Sequence, residues 1–270
     1  MNPRYVVLRI LRRFLPRSIV RLLITRGWVI KPGPETSHPE EAALSYRDAL
    51  LLEGISLDGK AVMVFGYGGR LEIGVALLRL GAGHVILCDR YASPDETANR
   101  RLLGEPGSYL IEQEGRILPN PAFMTLVSTD IRVAAIQPVD LVVSSSVFEH
   151  LDDLVGMVQA LAARTKSDGA QLHFIDLRDH YFRLPFEMLG YSEPTWLRWL
   201  NPTSNLNRHR APEYQRAFER YFGHVDVVIT ERDSEAFVRA RGRMRPEFLT
   251  GDDLVDAATH ITVFASRPQV

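Results

Sequence analysis

Short apolar runs alternate with stretches of helical periodicity along most of the chain. The runs predict strands at 61–65, 85–88, 124–128, 139–146, 170–176, 225–230 and 261–265. Between them, apolar residues recur at helical spacing, as from Leu71 to Leu80, which predicts helices. A further helix is expected from a cap at Asp152 to about Arg164, with 167–169 ending it. Strands that alternate with helices in this way are typical of a doubly wound α/β sheet.

The first 31 residues differ, because basic and apolar positions are interleaved there at helical spacing. Arg9, Arg13, Arg17 and Arg21 fall every fourth residue, which predicts a basic stripe along one helix face, with a kink at Pro16. Arginines interrupt every apolar run, so none reaches the ~18 residues of a membrane-spanning helix. Such a helix can lie on an anionic membrane surface or pack on the main domain with solvated arginines. Because residues 1–31 contain no acidic residue, binding to a membrane is favoured over packing on the main domain.

The composition also suggests where the domains begin and end. Residues 31–34 contain two prolines and a glycine, which predicts an extension and linker over 1–34 and a main domain over 35–270. Within that domain, the pattern predicts a helix at 40–52 and a small hairpin at 108–118. A long insertion at 181–222 carries aromatic and then polar residues, with a helix at 212–222. The insertion suits a sugar or polar headgroup, and it equally suits a helical cap with its own aromatic core.

Residues 57–90 carry the clearest chemical signal. The first strand ends at Gly66-Tyr67-Gly68-Gly69, a helix follows, and the second strand stops at Asp89. Glycines allow a sharp turn close to a ligand, a helix N-terminus offers free N–H groups, and a strand-end carboxylate can accept both hydroxyls of a ribose. The order predicts a nucleoside site, although a plain βαβ unit with a tight turn has the same pattern.

Two details narrow the choice of nucleotide. Leu71 occupies the sixth position of the turn, where a dinucleotide fingerprint has glycine, which argues against NAD or FAD. A P-loop motif is not present in the sequence. Asp130 follows the third strand, and its carboxylate can accept a hydrogen bond from an exocyclic amine such as that of adenine. An ordinary loop aspartate is the alternative.

Composition adds limits on compartment and partners. A hydrophobic content of 46% and a charged content of 24% are those of an ordinary globular protein. Cys88 is the single cysteine, which excludes an intrachain disulfide and fits a reducing compartment. Residues 1–31 carry eight basic groups and no acid, so the remainder has 24 basic against 33 acidic groups, a net charge of −9. A body this acidic does not suit general nucleic-acid binding.

From Leu57 onward the chain resembles the class I S-adenosylmethionine (SAM) dependent methyltransferases. Residues 65–69 resemble the glycine motif of that family, Asp89 its ribose acid and Asp130 its adenine-side acid. The most specific match is 139–153, which resembles the family's fourth-strand motif and runs into the pair Glu149-His150. Two positions depart from the family pattern, since Val64 replaces an acid and Arg70 replaces a third glycine.

The resemblance implies a fold, a cofactor and a cofactor site. The fold is a seven-stranded, mostly parallel, doubly wound sheet whose last strand is antiparallel, here preceded by the basic helical extension. The cofactor is SAM. The implied cofactor-binding residues are Phe65, Gly66, Tyr67, Gly68, Gly69, Asp89, Arg90, Asp130, Ile131 and Ser145.

The residues past the fourth and fifth strands provide candidates for acid–base chemistry. Methyl transfer from a sulfonium is an in-line displacement in which the cofactor carries the reactive group, so the protein mainly orients it. A hydroxyl acceptor is helped by a general base beyond the strand ends. His180 is the first candidate, with Asp176 or Asp179 to orient it, and His150 is the second. Either histidine can equally be a hydrogen-bonded structural residue, and no metal site is expected.

Together these features predict a SAM-dependent methyltransferase for a small-molecule acceptor, with glycan or lipid-linked acceptors included. The expected location is the cytoplasm, with peripheral membrane contact through residues 1–31, and no nucleic-acid partner is expected. An NAD-dependent oxidoreductase is an alternative, against which Leu71 argues. A methyltransferase-like protein that binds ligands without turnover is a second alternative.

Overall fold

The structure is a computed structural model that describes residues 3–14, 37–103, 109–180, 184–201 and 206–270. The predicted kink at Pro16, the stripe positions Arg17 and Arg21, and the linker at 31–34 lie outside these ranges. The boundary between the extension and the main domain therefore stays a prediction.

Strands and helices alternate along the described chain as the sequence predicts. The strands are β1 (Ala61–Phe65), β2 (His84–Cys88), β3 (Leu110–Gln113), β4 (Arg116–Pro119), β5 (Met124–Val127), β6 (Val139–Ser145), β7 (Thr165–Asp176), β8 (Phe222–Arg232) and β9 (Ala258–Pro268). The helices are α1 (Pro3–Phe14), α2 (Pro39–Leu52), α3 (Glu72–Arg79), α4 (Glu96–Arg100), α5 (Leu154–Ala162), α6 (Glu193–Thr195), α7 (Ala211–Glu219), α8 (Ser234–Arg241) and α9 (Asp253–Asp256). A π-helix, Trp196–Leu200, continues α6, and a 3₁₀ turn, Phe148–His150, follows β6.

Within the described residues, seven strands form one sheet in the order β5-β2-β1-β6-β7-β9-β8. The pairs from β5 to β7 are parallel, and β9 runs antiparallel to both of its neighbours. β3 and β4 form the predicted hairpin apart from this sheet. This topology confirms the predicted doubly wound fold with an antiparallel last strand.

The sheet is covered on both faces, which explains why its central strands are continuous apolar runs. On one face Met63 and Val142 pack with Met157 of α5 and Phe218 of α7. On the other face a separate core contains residues of β1 together with Tyr46 of α2 and Leu77 of α3. Alternate residues of one strand therefore enter two different cores. The ends of the strands are the part of the sheet that can carry a binding site.

A third core lies in a cap formed by the insertion and α8, and the N-terminal helix α1 packs against that cap. Its buried members include Tyr5, Phe186, Tyr191, Trp196, Leu200, Leu206 and Phe237. Phe186, Tyr191 and Trp196 of the insertion thus share this core with residues from outside it, whereas Tyr214 and Phe218 pack in the core of the sheet. Trp199 is exposed. Tyr181 and Phe182, which share the aromatic pattern, lie outside the described residues.

Some predicted boundaries are wrong for identifiable reasons. α5 is capped by Asp153, whose Oδ1 accepts a hydrogen bond from Gly156 N at 2.9 Å, and not by Asp152. α5 ends at Ala162, and residues 167–169 belong to β7 rather than to a helix end. Thr165 pairs with Val139, and a register shift in β6 lets β7 begin early. The helix predicted at 212–222 is α7, which ends before β8 begins at Phe222.

Candidate functional site

The strand order reverses between β1 and β6, so a crevice is expected beyond their carboxyl ends. β2 and β5 extend the sheet on one side of this point, and β7 lies on the other. The predicted cofactor residues fall at the ends of β1, β2, β5 and β6, and the predicted acid–base residues follow β6 and β7. The topology therefore brings both groups to one edge of the sheet.

The turn after β1 has a geometry that requires glycine. Gly66, Gly68 and Gly69 have φ angles of 87°, 69° and 89°, in the left-handed region. A Cβ on Gly66 would lie 2.2 Å from Val147 Cγ2, and one on Gly69 would lie 2.4 Å from the backbone oxygen of Ser93. The absence of a Cβ thus leaves room for the Val147 side chain at Gly66 and for the backbone of Ser93 at Gly69, both of which pack directly against the turn.

Asp89 and the glycine turn are directly connected. Asp89 Oδ2 accepts a hydrogen bond from Gly68 N at 3.2 Å, and Oδ1 accepts from Tyr91 N and Ala92 N at 2.8 Å each. The turn is further joined to β2 because Gly66 N donates to Cys88 O at 2.7 Å. The two strongest elements of the sequence pattern therefore form one unit.

Asn99 of α4 supports the same turn, and sequence reasoning missed it. Its side chain is fully buried, its Oδ1 accepts from Leu71 N at 2.9 Å, and its Nδ2 donates to Gly69 O at 3.3 Å. Asp95 N also donates to Gly69 O, at 2.9 Å. Asn99 lies in a polar stretch with no periodic apolar pattern, so nothing in the sequence marked it as buried.

Four other predicted cofactor residues are buried near the strand ends. Phe65 contacts Phe148 edge-on, with ring centroids 6.2 Å apart. Tyr67 is buried in the core that contains α2 and α3, and burial, with Asp89 nearby, raises the pKa of its phenol to about 12. Ser145 and Ile131 are buried as well. Tyr67 is therefore un-ionised at neutral pH.

Asp130 is paired with two arginines. Arg90 Nη1 donates to Asp130 Oδ2 at 2.9 Å, and Arg132 Nε donates to Asp130 Oδ1 at 2.9 Å. The hydrogen bond from Arg132 holds the pKa of Asp130 well below its usual range. Arg90 thereby links the loop after β2 to the loop after β5, while Asp130 is occupied by guanidinium groups in this conformation.

A second cluster, which we call the His–Asp cluster, surrounds Asp176 at the end of β7. Arg178 binds both Asp176 oxygens, with Nε at 2.9 Å and Nη2 at 2.8 Å. His180 Nε2 and His260 Nε2 lie 3.4 Å and 3.6 Å from Asp176 Oδ2. Burial alone would raise the pKa of Asp176, but its bonds with His180, His260 and Arg178 outweigh burial and hold that pKa well below its usual range. The carboxylate of Asp176 is therefore ionised at neutral pH beside His180.

The 3₁₀ turn after β6 completes the His–Asp cluster. Glu149 is buried, and its Oε1 lies 3.9 Å from His180 Nε2. The rings of His150 and His180 meet nearly at right angles, with centroids 5.3 Å apart. Asn207, from the insertion, holds this turn by donating from Nδ2 to Phe148 O at 2.7 Å. His180, His150 and Asp176 are thus brought together, and Glu149 and His260 join them although neither was assigned a role from the sequence.

Asp179 has different partners. Its carboxylate accepts hydrogen bonds from Tyr5 Oη and from Arg9 Nη2, both of α1. Burial raises the pKa of Asp179 to about 6, while Arg9 acts to lower it. Of the two acids considered for orienting His180, it is Asp176 whose carboxylate lies within 3.4 Å of the imidazole.

By sequence, neither a family model nor a curated protein matches the chain. By structure, it is similar to a geranyl diphosphate methyltransferase in complex with SAM, with a TM-score of 0.51, 16% identity, and coverage of 84% of this chain and 85% of that one. It is also similar to geranyl diphosphate C-methyltransferase from Streptomyces coelicolor A3(2), with a TM-score of 0.50, 14% identity, and coverage of 83% and 79%. A third similar structure is Haemonchus contortus phosphoethanolamine N-methyltransferase 2, with a TM-score of 0.51, 15% identity, and coverage of 83% and 53%. The chain has the fold of the class I SAM-dependent methyltransferases.

Proposed function

We propose that the protein is a methyltransferase that binds SAM at the glycine turn and transfers its methyl group to a small-molecule acceptor at the His–Asp cluster. The observation that carries this proposal is the unit formed by the turn and Asp89, joined through Gly68 N and located where the strand order reverses. Open α/β sheets bind their ligands beyond the carboxyl ends of the strands, at the point where the strand order reverses.

The residues of the turn fit a nucleoside cofactor. The three glycines leave the turn with backbone rather than side-chain atoms to offer a ligand, and Asp89 is a half-buried carboxylate beside it. Asp89 is proposed to accept the ribose hydroxyls, and Phe65, Ile131 and Ser145 to lie beside the bound nucleoside. Asp130 is proposed to meet the adenine side, where its arginine partners keep it anionic.

The chemistry assigned to the His–Asp cluster is general-base catalysis. When bound, SAM supplies the electrophilic methyl group. His180 Nε2 faces Asp176 and Glu149, so the tautomer with a proton on Nε2 leaves Nδ1 to accept a proton from an acceptor hydroxyl. The adjacent anion of Asp176 then stabilises the imidazolium, as the carboxylate of a catalytic triad does. His150 is proposed to contact the acceptor.

A small acceptor is supported by two observations. The side chains of His180 and Asp176 are only 14% and 11% exposed, so little of the His–Asp cluster is accessible to a bulky acceptor. The similar structures include enzymes named for geranyl diphosphate and phosphoethanolamine, which are small molecules.

We further propose that the acceptor is attached to a lipid, or to a glycan carried by one, and that α1 contacts an anionic membrane from the cytoplasmic side. Val7, Leu8 and Leu11 are 54%, 42% and 58% exposed, and they lie next to one another on a face of α1 that does not include the buried Tyr5 and Arg9. An apolar face next to a strongly basic segment is the arrangement by which peripheral helices bind anionic lipid. Among the described residues, no helix is both long and apolar enough to cross a bilayer.

Calorimetric titration with SAM tests the cofactor assignment. Asp89→Asn should weaken SAM binding at least about 10-fold, since a hydrogen bond to a charged group contributes about 1.5–3 kcal/mol. Asp233→Asn is a matched control, because Asp233 also accepts a backbone N–H, from Ala236, but caps α8 away from the turn. Equal SAM affinity in both variants, or a thermal shift with NAD in place of SAM, would overturn the proposal.

Turnover is tested separately, with SAM labelled on its methyl group and a lipid extract and a polar extract as acceptor sources. Label is expected in the lipid extract and should be lost in His180→Gln, while SAM binding persists in that variant. Saturable SAM binding with no transfer to either extract would favour the binding protein without catalysis. Label confined to the polar extract would refute the lipid-linked acceptor.

Membrane contact is tested by co-sedimentation of the full chain with vesicles of anionic and of neutral lipid. The double variant Leu8→Glu/Leu11→Glu should lose binding to anionic vesicles. Leu254→Glu is the control, because Leu254 is similarly exposed but lies in α9. Equal sedimentation of the native chain with both vesicle types, or of both variants with anionic vesicles, would remove the membrane proposal.

A further inference from the structure

The N-terminal helix touches the segment that carries the His–Asp cluster. Tyr5 and Arg9 are 1% and 2% exposed and lie one turn apart on the inner face of α1. Both side chains donate to the carboxylate of Asp179, which is separated from them by 170 residues or more. α1 is therefore connected to the loop after β7 by polar contacts as well as by apolar packing.

The position of Asp179 in that loop makes the connection relevant to the site. Its sequence neighbours are Arg178, which binds both oxygens of Asp176, and His180, whose Nε2 faces Asp176. Asp179 N donates to Pro185 O at 2.9 Å, which ties the backbone to the start of the cap. With its carboxylate held by α1 and its amide held by the cap, Asp179 leaves its two neighbours little freedom to turn.

Arg9 also connects α1 to the cap independently of Asp179. Its Nη1 donates to Leu200 O at 3.0 Å, and its guanidinium lies 4.6 Å from the centre of the Trp196 ring. Tyr5 stacks on Tyr191 with ring centroids 5.7 Å apart. Because the Asp179 side chain has no solvent contact, removing Arg9 would deprive its carboxylate of the neighbouring charge and of one of its two hydrogen bonds to α1, which weakens the hold of α1 on the loop.

We propose that Tyr5 and Arg9 are positioning residues of the acceptor site, which fix the loop 178–180 through Asp179 and so set the orientation of His180 beside Asp176. The role as an acceptor site rests on the proposed function, whereas the coupling of α1 to the His180 ring does not. On this view the acceptor side of the crevice is complete only when α1 is docked.

The experiment reads the His180 ring directly in the full chain, by NMR of ¹³C,¹⁵N-labelled histidines without added ligand. His180→Gln assigns the His180 ring signal, and His173→Gln assigns a buried core histidine that reports on folding. Arg9→Met should shift or broaden the His180 signal by more than a linewidth and leave the His173 signal in place. Arg9→Lys, which keeps the positive charge, should give a His180 signal close to that of the native chain. Arg4→Met, at an exposed position of the same helix, should change neither.

If Arg9→Met loses the His173 signal and hence the fold, Tyr5→Phe decides, because it removes only the hydroxyl that donates to Asp179. If Arg9→Met is folded, an unchanged His180 signal in that variant would overturn the proposal. If Arg9→Met is unfolded, an unchanged His180 signal in Tyr5→Phe would overturn it. SAM titration of Arg9→Met should give an affinity within about twofold of the native value. Absence of SAM binding in the native chain would refute the proposed function, while the NMR result would still stand or fall by itself.

Discussion

The turn after β1 allows a prediction whose steric and conformational parts can be measured separately. In Gly66→Ala, the new methyl group would lie 2.2 Å from Val147 Cγ2, in a residue that also has a φ angle of 87°. Two penalties therefore act at one position, one from the backbone angle and one from the contact. Val147 packs against the core beneath it, so its side chain has little room to withdraw.

The magnitudes follow from the two causes. A left-handed angle costs a residue with a Cβ about 1–2 kcal/mol. Forcing a methyl group into packed surroundings adds about 1–3 kcal/mol. Gly54 is the matched control, since it has a φ angle of 75° and nothing within 4 Å of a Cβ. Gly54→Ala should therefore show only the first penalty, and Gly66→Ala both, a total of about 2–5 kcal/mol.

The assay is equilibrium unfolding in urea, with the free energy of unfolding compared among the variants. Adding Val147→Ala removes the two methyl groups nearest to the new Cβ, so in that background Gly66→Ala should cost about as much as Gly54→Ala does in the native chain. SAM affinity should fall in Gly66→Ala and stay unchanged in Gly54→Ala. The reasoning is refuted if both single variants cost the same, or if Val147→Ala gives no relief.

Two further predictions concern buried polar side chains. Asn99→Ala should lower the free energy of unfolding by about 2 kcal/mol and weaken SAM binding, because the buried amide of Leu71 loses its acceptor. Urea titration measures the stability and calorimetry the SAM affinity. Unchanged stability would show that Asn99 does not support the turn. Burial lowers the pKa of His173 to about 3, below the ordinary value of about 6.5, so the unfolded chain binds the proton first and stability is lost as the pH falls below about 6.5. The native chain should therefore lose about 1.4 kcal/mol more than His173→Gln between pH 7.5 and 5.5, and a difference that does not change with pH would show that His173 is not held neutral.

The fold and the turn could be predicted because their determinants are local in sequence. The apolar runs give the strands, and the left-handed angles at Gly66, Gly68 and Gly69 are the ones that glycine permits. Asp89 is found by its distance along the chain from the turn, and the structure joins the two with one hydrogen bond. Sheet neighbours such as β1 and β6 are far apart in sequence, and only the family resemblance implied their order.

The roles of individual polar residues could not be predicted, because they depend on distant partners. Arg9 belongs to a stripe that the sequence predicted to face membrane or water, yet it is buried against Asp179. The burial of Arg9 depends on Asp179, which is 170 residues away in the sequence. The spacing of charges within residues 1–31 cannot predict such a partner. Asn99 was missed for the same reason, since its burial depends on where the loop 93–95 passes over Gly69.

The two proposed sides of the crevice therefore differ in how they are specified. The proposed cofactor side is formed largely by residues 65–99, in which turn, strand and helix follow one another and support one another through short-range bonds. The proposed acceptor side involves α1, the 3₁₀ turn after β6, the end of β7, the insertion and the start of β9, whose contacts span most of the chain. On the proposed coupling, changes in α1 or the insertion alter the orientation of His180 without touching the turn or Asp89. Acceptor choice in this protein should consequently depend on the cap and α1, and cofactor affinity on the turn, so that substitutions in the two regions act independently on the two ligands.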